Sequence, residues 1–340
     1  MNMAGGPKVS ILGAGSVGCF IGGAWAAAGV PVTFIGRPKI SADVDKHGLT
    51  LSDYSGWQAQ LPPGEVDYRC GPEGLEEAEV IALCVKSGDT ASAADDIAEY
   101  ATPGVTVISF QNGVSNVDVL ERGLGGRFEV ARGMVPYNVA YLGNGRFHKG
   151  VAGELYAEQR GAVRALADRV DGGPAELKFS KDMLGLAWGK LLINLNNAVN
   201  ALSGRTLRDE LRQHDYRRVF AASMREGLDL LKRADIEPAT VGPISPNSLP
   251  RIVSSPDWVF NNLFLKRWKI DAKARSSMAD DLAAGRKTEI DYLNGELVQL
   301  AERLQRKAPV NSAIVELVHK AEGGAEPLSP AALRKAVLGG

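Results

Sequence analysis

The run Gly13-Ala14-Gly15-Ser16-Val17-Gly18 is G-x-G-x-x-G, set directly after the apolar run Val9-Ser10-Ile11-Leu12 and opening an Ala-rich helical stretch to about Ala28. In that context each glycine has work to do. The first permits a tight turn, the second lets backbone amides approach a pyrophosphate, and the third lets the helix pack close on the strand. The helix N-terminus adds partial positive charge toward phosphates. A merely structural glycine turn is the competing account. The next strand, Pro31-Val32-Thr33-Phe34-Ile35, ends in Gly36-Arg37-Pro38-Lys39. A site for NAD places Asp or Glu there to hold the ribose 2′-hydroxyl. A guanidinium in its place suits a 2′-phosphate, so the expected cofactor is NADP(H). An Arg solvated in a βα loop is the plain alternative. A flavin site would also want the acid that Arg37 replaces.

Further polar residues stand where ligands collect in open α/β sheets. Lys86 follows the run Val80-Ile81-Ala82-Leu83-Cys84-Val85, and Asn112 follows Val105-Thr106-Val107-Ile108-Ser109-Phe110 within Gln111-Asn112-Gly113. An ordinary Asn-Gly turn explains Asn112 equally well. Further on, Lys190, Asn194 and Asn197 are spaced by four and three within a mostly apolar helical run, so one helix would carry them on one face. An ammonium among apolar neighbours is costly to bury unless paired, and amides there need partners. The stripe faces solvent, a polar network or a ligand, and a snorkelling lysine with structural amides remains open. The last constellation is Ser276-Ser277-Met278-Ala279-Asp280-Asp281-Leu282, then Gly285-Arg286-Lys287-Thr288-Glu289-Ile290-Asp291-Tyr292-Leu293-Asn294-Gly295. It reads as an N-cap serine with acids in the first turn. Nothing local separates Glu289 from its charged neighbours.

These residues need a scaffold. Four apolar runs, at 9–12, 31–35, 80–85 and 105–110, alternate with helical patterns and are apolar on both faces, which predicts a parallel sheet covered by helices. Residues 130–141 and 153–157 are expected to add strands to that sheet. From about Ser180 the pattern is helical: one helix over 183–202, an amphipathic one over 208–233, an irregular connection over 238–256, and helices over 272–306 and 310–322. The fold class is therefore α/β, an amino-terminal doubly wound Rossmann-type sheet over residues 1–179 and a mostly α-helical carboxyl-terminal domain over 180–325. The tail, 326–340, is expected to dock weakly or fray.

The chain has 340 residues, enough for two cores. It is 45% apolar and 23% charged, and its 39 basic and 40 acidic residues nearly cancel. That balance argues against a nucleic-acid partner and against disorder. Three cysteines at unrelated spacings (Cys19, Cys70, Cys84) give neither a disulfide framework nor a zinc site. No metal is expected. The stretch Met1 to Lys8 lacks the pattern of a signal peptide, and no apolar run is long enough for a membrane span, so a cytoplasmic setting is expected. The helical domain's apolar faces allow a homodimer as readily as an internal core.

At this point the chain resembles the ketopantoate reductase family, over nearly its whole length from Val9 to about Glu322. The resemblance runs through the glycine turn, Val85-Lys86, Gln111-Asn112-Gly113, Lys190-Leu191-Leu192-Ile193-Asn194, Ser276-Ser277-Met278, Asp281-Leu282, Thr288-Glu289-Ile290-Asp291-Tyr292-Leu293-Asn294-Gly295 and Ala308-Pro309-Val310-Asn311. It implies a Rossmann domain and a helical domain with a cleft between them. The activity it implies is NADPH-dependent reduction of 2-dehydropantoate, a small 2-oxo acid, with Lys190 as general acid and Glu289 as the carboxylate beside it. Asn112, Asn194 and Ser277 match substrate- or nicotinamide-contacting positions, Arg37 the residue that recognises the 2′-phosphate, and Lys86 a cofactor-side lysine. Gly13, Ala14, Gly15, Ser16, Val17 and Gly18 would hold the dinucleotide. Some members carry a second asparagine eight residues after the lysine, where this chain has Ala198; Asn197, one position earlier, stands in for it here. Another 2-oxo acid as substrate, or a non-catalytic NADP-binding sensor, are the competing readings. Keeping both Lys190 and Glu289 argues against the sensor.

Overall fold

The computed structural model describes residues 6–268 and 270–339. The chain divides into two compact units, Met1–Met183 and Leu184–Gly340.

In the first unit, apolar runs without a wet face belong in the middle of a covered sheet. β1 (Val9–Leu12) is such a run, buried at all four positions. It feeds the glycine turn and α1 (Ser16–Ala27). Then come β2 (Val32–Ile35), α2 (Pro38–His47), β3 (Leu49–Asp53), β4 (Gln58–Leu61) and β5 (Asp67–Arg69). After these follow β6 (Val80–Leu83), α3 (Thr90–Tyr100), β7 (Thr106–Ser109) and α4 (Asn116–Leu124). β8 (Glu129–Met134), β9 (Val139–Tyr141), β10 (Arg146–Lys149), β11 (Leu155–Ala157), α5 (Val163–Arg169) and β12 (Leu177–Phe179) complete it.

Eight strands form one sheet in the order β12-β11-β8-β7-β6-β1-β2-β5. From β8 to β5 all neighbours are parallel; β11 is antiparallel to β8 and β12 follows β11, so these two run against the other six. β1 pairs with β2 on one side and with β6 on the other, so the winding direction reverses at β1. α3 and α4 cover one face through Ile97, Leu120 and Leu124. α1 and α5 cover the other, with Phe20, Trp25 and Leu166 in the core. One expectation changes here. Of residues 130–141, β8 extends the main sheet, but Val139–Tyr141 joins a separate four-stranded sheet, β4-β3-β10-β9. That second sheet packs on α1 where Gly23 leaves room for Leu51; a Cβ at Gly23 would stand 2.7 Å from Leu51 Cδ1.

The second unit is helical: α6 (Met183–Asn194), α7 (Asn196–Ser203), α8 (Leu207–Leu211), α9 (His214–Arg233), short α10 (Leu249–Val253) and α11 (Asp257–Val259), then α12 (Ser277–Ala283), α13 (Asn294–Arg303), α14 (Pro309–Glu322) and α15 (Pro330–Leu338). The single helix expected over 183–202 is broken at Leu195. The break is slight: Leu195 keeps helical dihedrals and its amide still donates to the Leu191 carbonyl at 3.0 Å; just beyond it, Asn196 Nδ2 donates to the buried Glu210 side chain on α8 at 3.0 Å. Of the two expectations for the tail, docking is the one found, and it is firm. Ser329 caps α15 at its N-terminus and Leu333 is fully buried. α15 lies on α9, where the Tyr216 hydroxyl donates to the Leu328 carbonyl at 2.6 Å and Arg334 pairs with Asp215. Among the described residues no helix is long and apolar enough to cross a membrane.

Candidate active site

In the first unit the turn after β1 is shaped by its glycines in three different ways. Gly13 has φ +96, and a Cβ there would meet the Val85 backbone nitrogen at 2.5 Å. At Gly18 a Cβ would stand 2.6 Å from the Gly13 carbonyl oxygen and 2.9 Å from Ile11, so α1 could not approach β1. Gly15 is unlike both: its nearest protein atom in the Cβ direction is 4.0 Å away, so the chain's own packing does not require glycine there. A turn that stays bare toward open space, at the head of a 12-residue helix with neither side-chain cap nor acid in its first turn, suits an anion pressed against the backbone. The first-turn residues Ser16, Val17 and Gly18 carry the amides that no intrahelical carbonyl can reach.

Arg37 is exposed and forms the N-cap of α2, which has no acid in its first turn. Lys86 and Asn112 are half-buried and follow β6 and β7 at the sheet's carboxyl edge. Their loops are tied together by residues whose role the sequence did not reveal. Ser87 Oγ donates to the Asn112 carbonyl at 2.9 Å, and Asn116 Nδ2 donates to the same carbonyl at 2.5 Å. Gln111 Nε2 donates to Thr90 Oγ1 at 2.7 Å. Their polar types flag them only once strands β6 and β7 are known to be adjacent.

In the second unit Lys190 sits half-buried on α6 and Asn194 is the last residue of that helix. Burial draws the Lys190 ammonium down to about 8, while the charge of Glu289 works in the opposite direction. Asn197 lies beyond the break, on α7, so the four-and-three spacing does not run along one continuous helix. α7 is fastened to the start of α12: Ser276 Oγ donates to the Asn197 carbonyl at 3.0 Å, and the Ser276 amide donates to Asn200 Oδ1 at 2.9 Å. Ser276 is also the α12 N-cap, accepting from the Ala279 amide at 3.1 Å. Ser277, the first residue of α12, is exposed.

Glu289 is half-buried between two anchors. The amide and hydroxyl of Thr288 both donate to Glu322 Oε1 on α14, at 2.8 and 2.7 Å. Asp291 meets His319 Nε2 at 3.0 Å, and the other nitrogen of that ring lies 3.1 Å from Glu322. The His319 pKa is raised, first by its bond to Glu322. Thr288 and Asp291 thus fix the short segment that presents Glu289. Asn294 and Asn311 are fully buried in a different role: Asn294 Nδ2 donates to Asn311 Oδ1 at 2.9 Å, and Asn311 is held by Glu226 through its amide and side chain at 2.9 and 2.8 Å. The second unit therefore places Lys190 and Glu289 within each other's field and joins the Asn197 backbone to Ser276, next to Ser277. The glycine turn, Arg37, Lys86 and Asn112 belong to the first unit.

Two family models match the chain, "Ketopantoate reductase PanE/ApbA" over residues 9–161 and its C-terminal counterpart over residues 182–322. The 2-dehydropantoate 2-reductase of Archaeoglobus fulgidus is 27% identical across 93% of this chain and 98% of its own length. That of Pyrococcus abyssi is 28% identical across 92% and 96%. Among solved structures, the PanE/ApbA family ketopantoate reductase of Ralstonia eutropha JMP134 superposes with a TM-score of 0.78 at 29% identity, covering 93% of this chain and 99% of that one. A D-mandelate dehydrogenase solved with NADH and anilino(oxo)acetate shares the fold, with a TM-score of 0.76 at 19% identity over 93% and 99% of the two chains.

Proposed function

Since the chain belongs to the ketopantoate reductase family, we propose that it reduces 2-dehydropantoate to pantoate with NADPH, Lys190 acting as general acid. The observation that carries this reading is the pairing on the second unit: a half-buried lysine drawn down to about 8, in the field of a carboxylate that Thr288 and Asp291 anchor on both sides. Such an ammonium is charged at neutral pH yet close enough to its pKa to give the proton up. Relatives named 2-dehydropantoate 2-reductase at 27% and 28% identity support the substrate.

The residues of the turn fit a dinucleotide: bare backbone at Gly15, the first-turn amides of α1, and Arg37 for a 2′-phosphate. Lys86 and Asn112, on their tied loops, would complete its binding. The nicotinamide, when bound, supplies a hydride to the C2 carbonyl of the substrate. Lys190 Nζ stabilises the charge that grows on the carbonyl oxygen and delivers its proton there. Glu289 keeps the ammonium charged and oriented. Asn194, Asn197 and Ser277 would hold the substrate's hydroxyl and carboxylate.

The test is NADPH oxidation by the purified full chain with 2-dehydropantoate against a panel of branched and aromatic 2-oxo acids. Highest kcat/KM with 2-dehydropantoate is expected. Preference for another 2-oxo acid would move the substrate and leave the chemistry. No oxidation with any of them would end the enzyme reading.

A further inference from the structure

We propose that Tyr68 is a positioning residue for the dinucleotide turn: its hydroxyl reaches over Gly36 to the Ala14 carbonyl, holds the turn in its binding form, and so tightens cofactor binding without touching the cofactor. The inference rests on the dinucleotide reading of the first unit.

Tyr68 lies on β5, the three-residue edge strand beside β2. Its ring is stacked on Phe34 of β2, with centroids 6.2 Å apart and planes within 3°. That stacking aims the hydroxyl across the end of β2, where it donates to the Ala14 carbonyl at 2.9 Å. Gly36 makes the path. A Cβ there would collide with Tyr68 Oη and come within 3.1 Å of Ala14 Cβ. Gly36 carries no positive φ, so it is glycine for the clearance of Tyr68, not for an unusual backbone. The residue after it is Arg37, the cation expected to meet a 2′-phosphate.

The Ala14 peptide groups are held from both sides. The amides of Gly13 and Ala14 both donate to the Ile35 carbonyl, at 3.0 and 2.8 Å, and the Gly15 amide donates to the Gly13 carbonyl at 2.7 Å. On the carbonyl side Tyr68 is joined by Cys19 Sγ at 3.3 Å, a weak donor. Burial keeps the Tyr68 phenol protonated well beyond neutral pH, so the donor is always present. Gly13 and Gly15 are of the residue type freest in torsion. A turn built from them would sample many shapes unless its carbonyl were tied, and fixing the bound shape in advance raises affinity.

The experiment is Tyr68→Phe, which keeps the ring and its stacking and removes only the donor. Kd for NADPH and NADH is measured by tryptophan fluorescence titration, alongside hydrogen exchange of residues 13–18 without nucleotide. Expected are a Kd about 5- to 10-fold higher, the scale of one lost hydrogen bond, equal losses for the two nucleotides, and faster exchange in the turn. Gly36→Ala should weaken binding as well, and adding Tyr68→Phe to it should cost little more. Unchanged Kd in Tyr68→Phe overturns the inference, even if the thermal midpoint falls, and so do additive losses in the double variant. Wild type that bound neither nucleotide would instead fell the dinucleotide reading, and this inference with it.

Discussion

A lysine used as a general acid has to be charged when substrate arrives and willing to discharge. Burial brings Lys190 to about 8, and Glu289 limits the fall. Reduction needs the ammonium, so kcat should hold below pH 8 and decline as pH rises through it. Lys190→Ala should lower kcat by about 10²-fold or more with NADPH affinity unchanged; full turnover in that variant would remove Lys190 from the chemistry. Glu210 is a second buried ionisable group, with the opposite shift. Burial raises it to about 8, against the pull of Asn196, Arg217 and Asn200. A carboxyl raised in the folded state contributes stability below its unfolded pKa, near 4.3, and loses it as pH climbs through the folded value. Glu210→Gln should therefore melt above wild type at pH 9, by about 5 °C or more, with the gap closing toward pH 5. Calorimetry across that range checks it, and a gap independent of pH would mean Glu210 is already charged at neutrality.

At the scale of elements, the helix–strand grammar of the central sheet was legible because β1, β6 and β7 are apolar on both faces. Several short strands escaped, among them Gln-Ala-Gln-Leu in β4 and Asp-Tyr-Arg in β5, which carry no apolar run. β4 becomes a strand through its hairpin with β3, and β5 through pairing with β2 more than thirty residues earlier. The candidate site divides the same way. The glycine turn is local and could be read from its spacing. Glu322 and His319 could not, because their partners Thr288 and Asp291 lie about thirty positions away. That anchoring makes α14 part of the site. Glu322→Ala frees both donors of Thr288, so Glu289 should drift from Lys190. A loss of about tenfold in kcat/KM is expected, with the alkaline limb of kcat moving below pH 8 as the lysine loses its counter-charge. Glu322→Gln, which still accepts from Thr288, should recover most of the loss. A limb fixed at its wild-type position would uncouple α14 from the lysine.

For the molecule as a whole, the sequence spoke clearly for two bodies and less clearly for their details. The first unit carries a second sheet, and the second carries a docked terminal helix. Each has its own interior, so a nucleotide held by the first unit's turn should raise that unit's stability. At one hundred times Kd the gain is about 2.7 kcal/mol, and a tenfold weaker Kd cuts it to about 1.4 kcal/mol. Arg37→Asp should show that cut, or more, with NADPH and almost none with NADH in a thermal-shift titration; equal cuts would take the 2′-phosphate from Arg37. The small sheet also bears on how the polypeptide emerges from the ribosome. Thr50 on β3 is in register with Arg146 on β10, and four strands of the large sheet, β5 to β8, are encoded between them. Until residue 149 has been synthesised, β3 has only its hairpin with β4. The other edge of β3, its backbone donors and acceptors unpaired, then waits through nearly a hundred residues of elongation, the interval in which a nascent-chain chaperone would have something to hold.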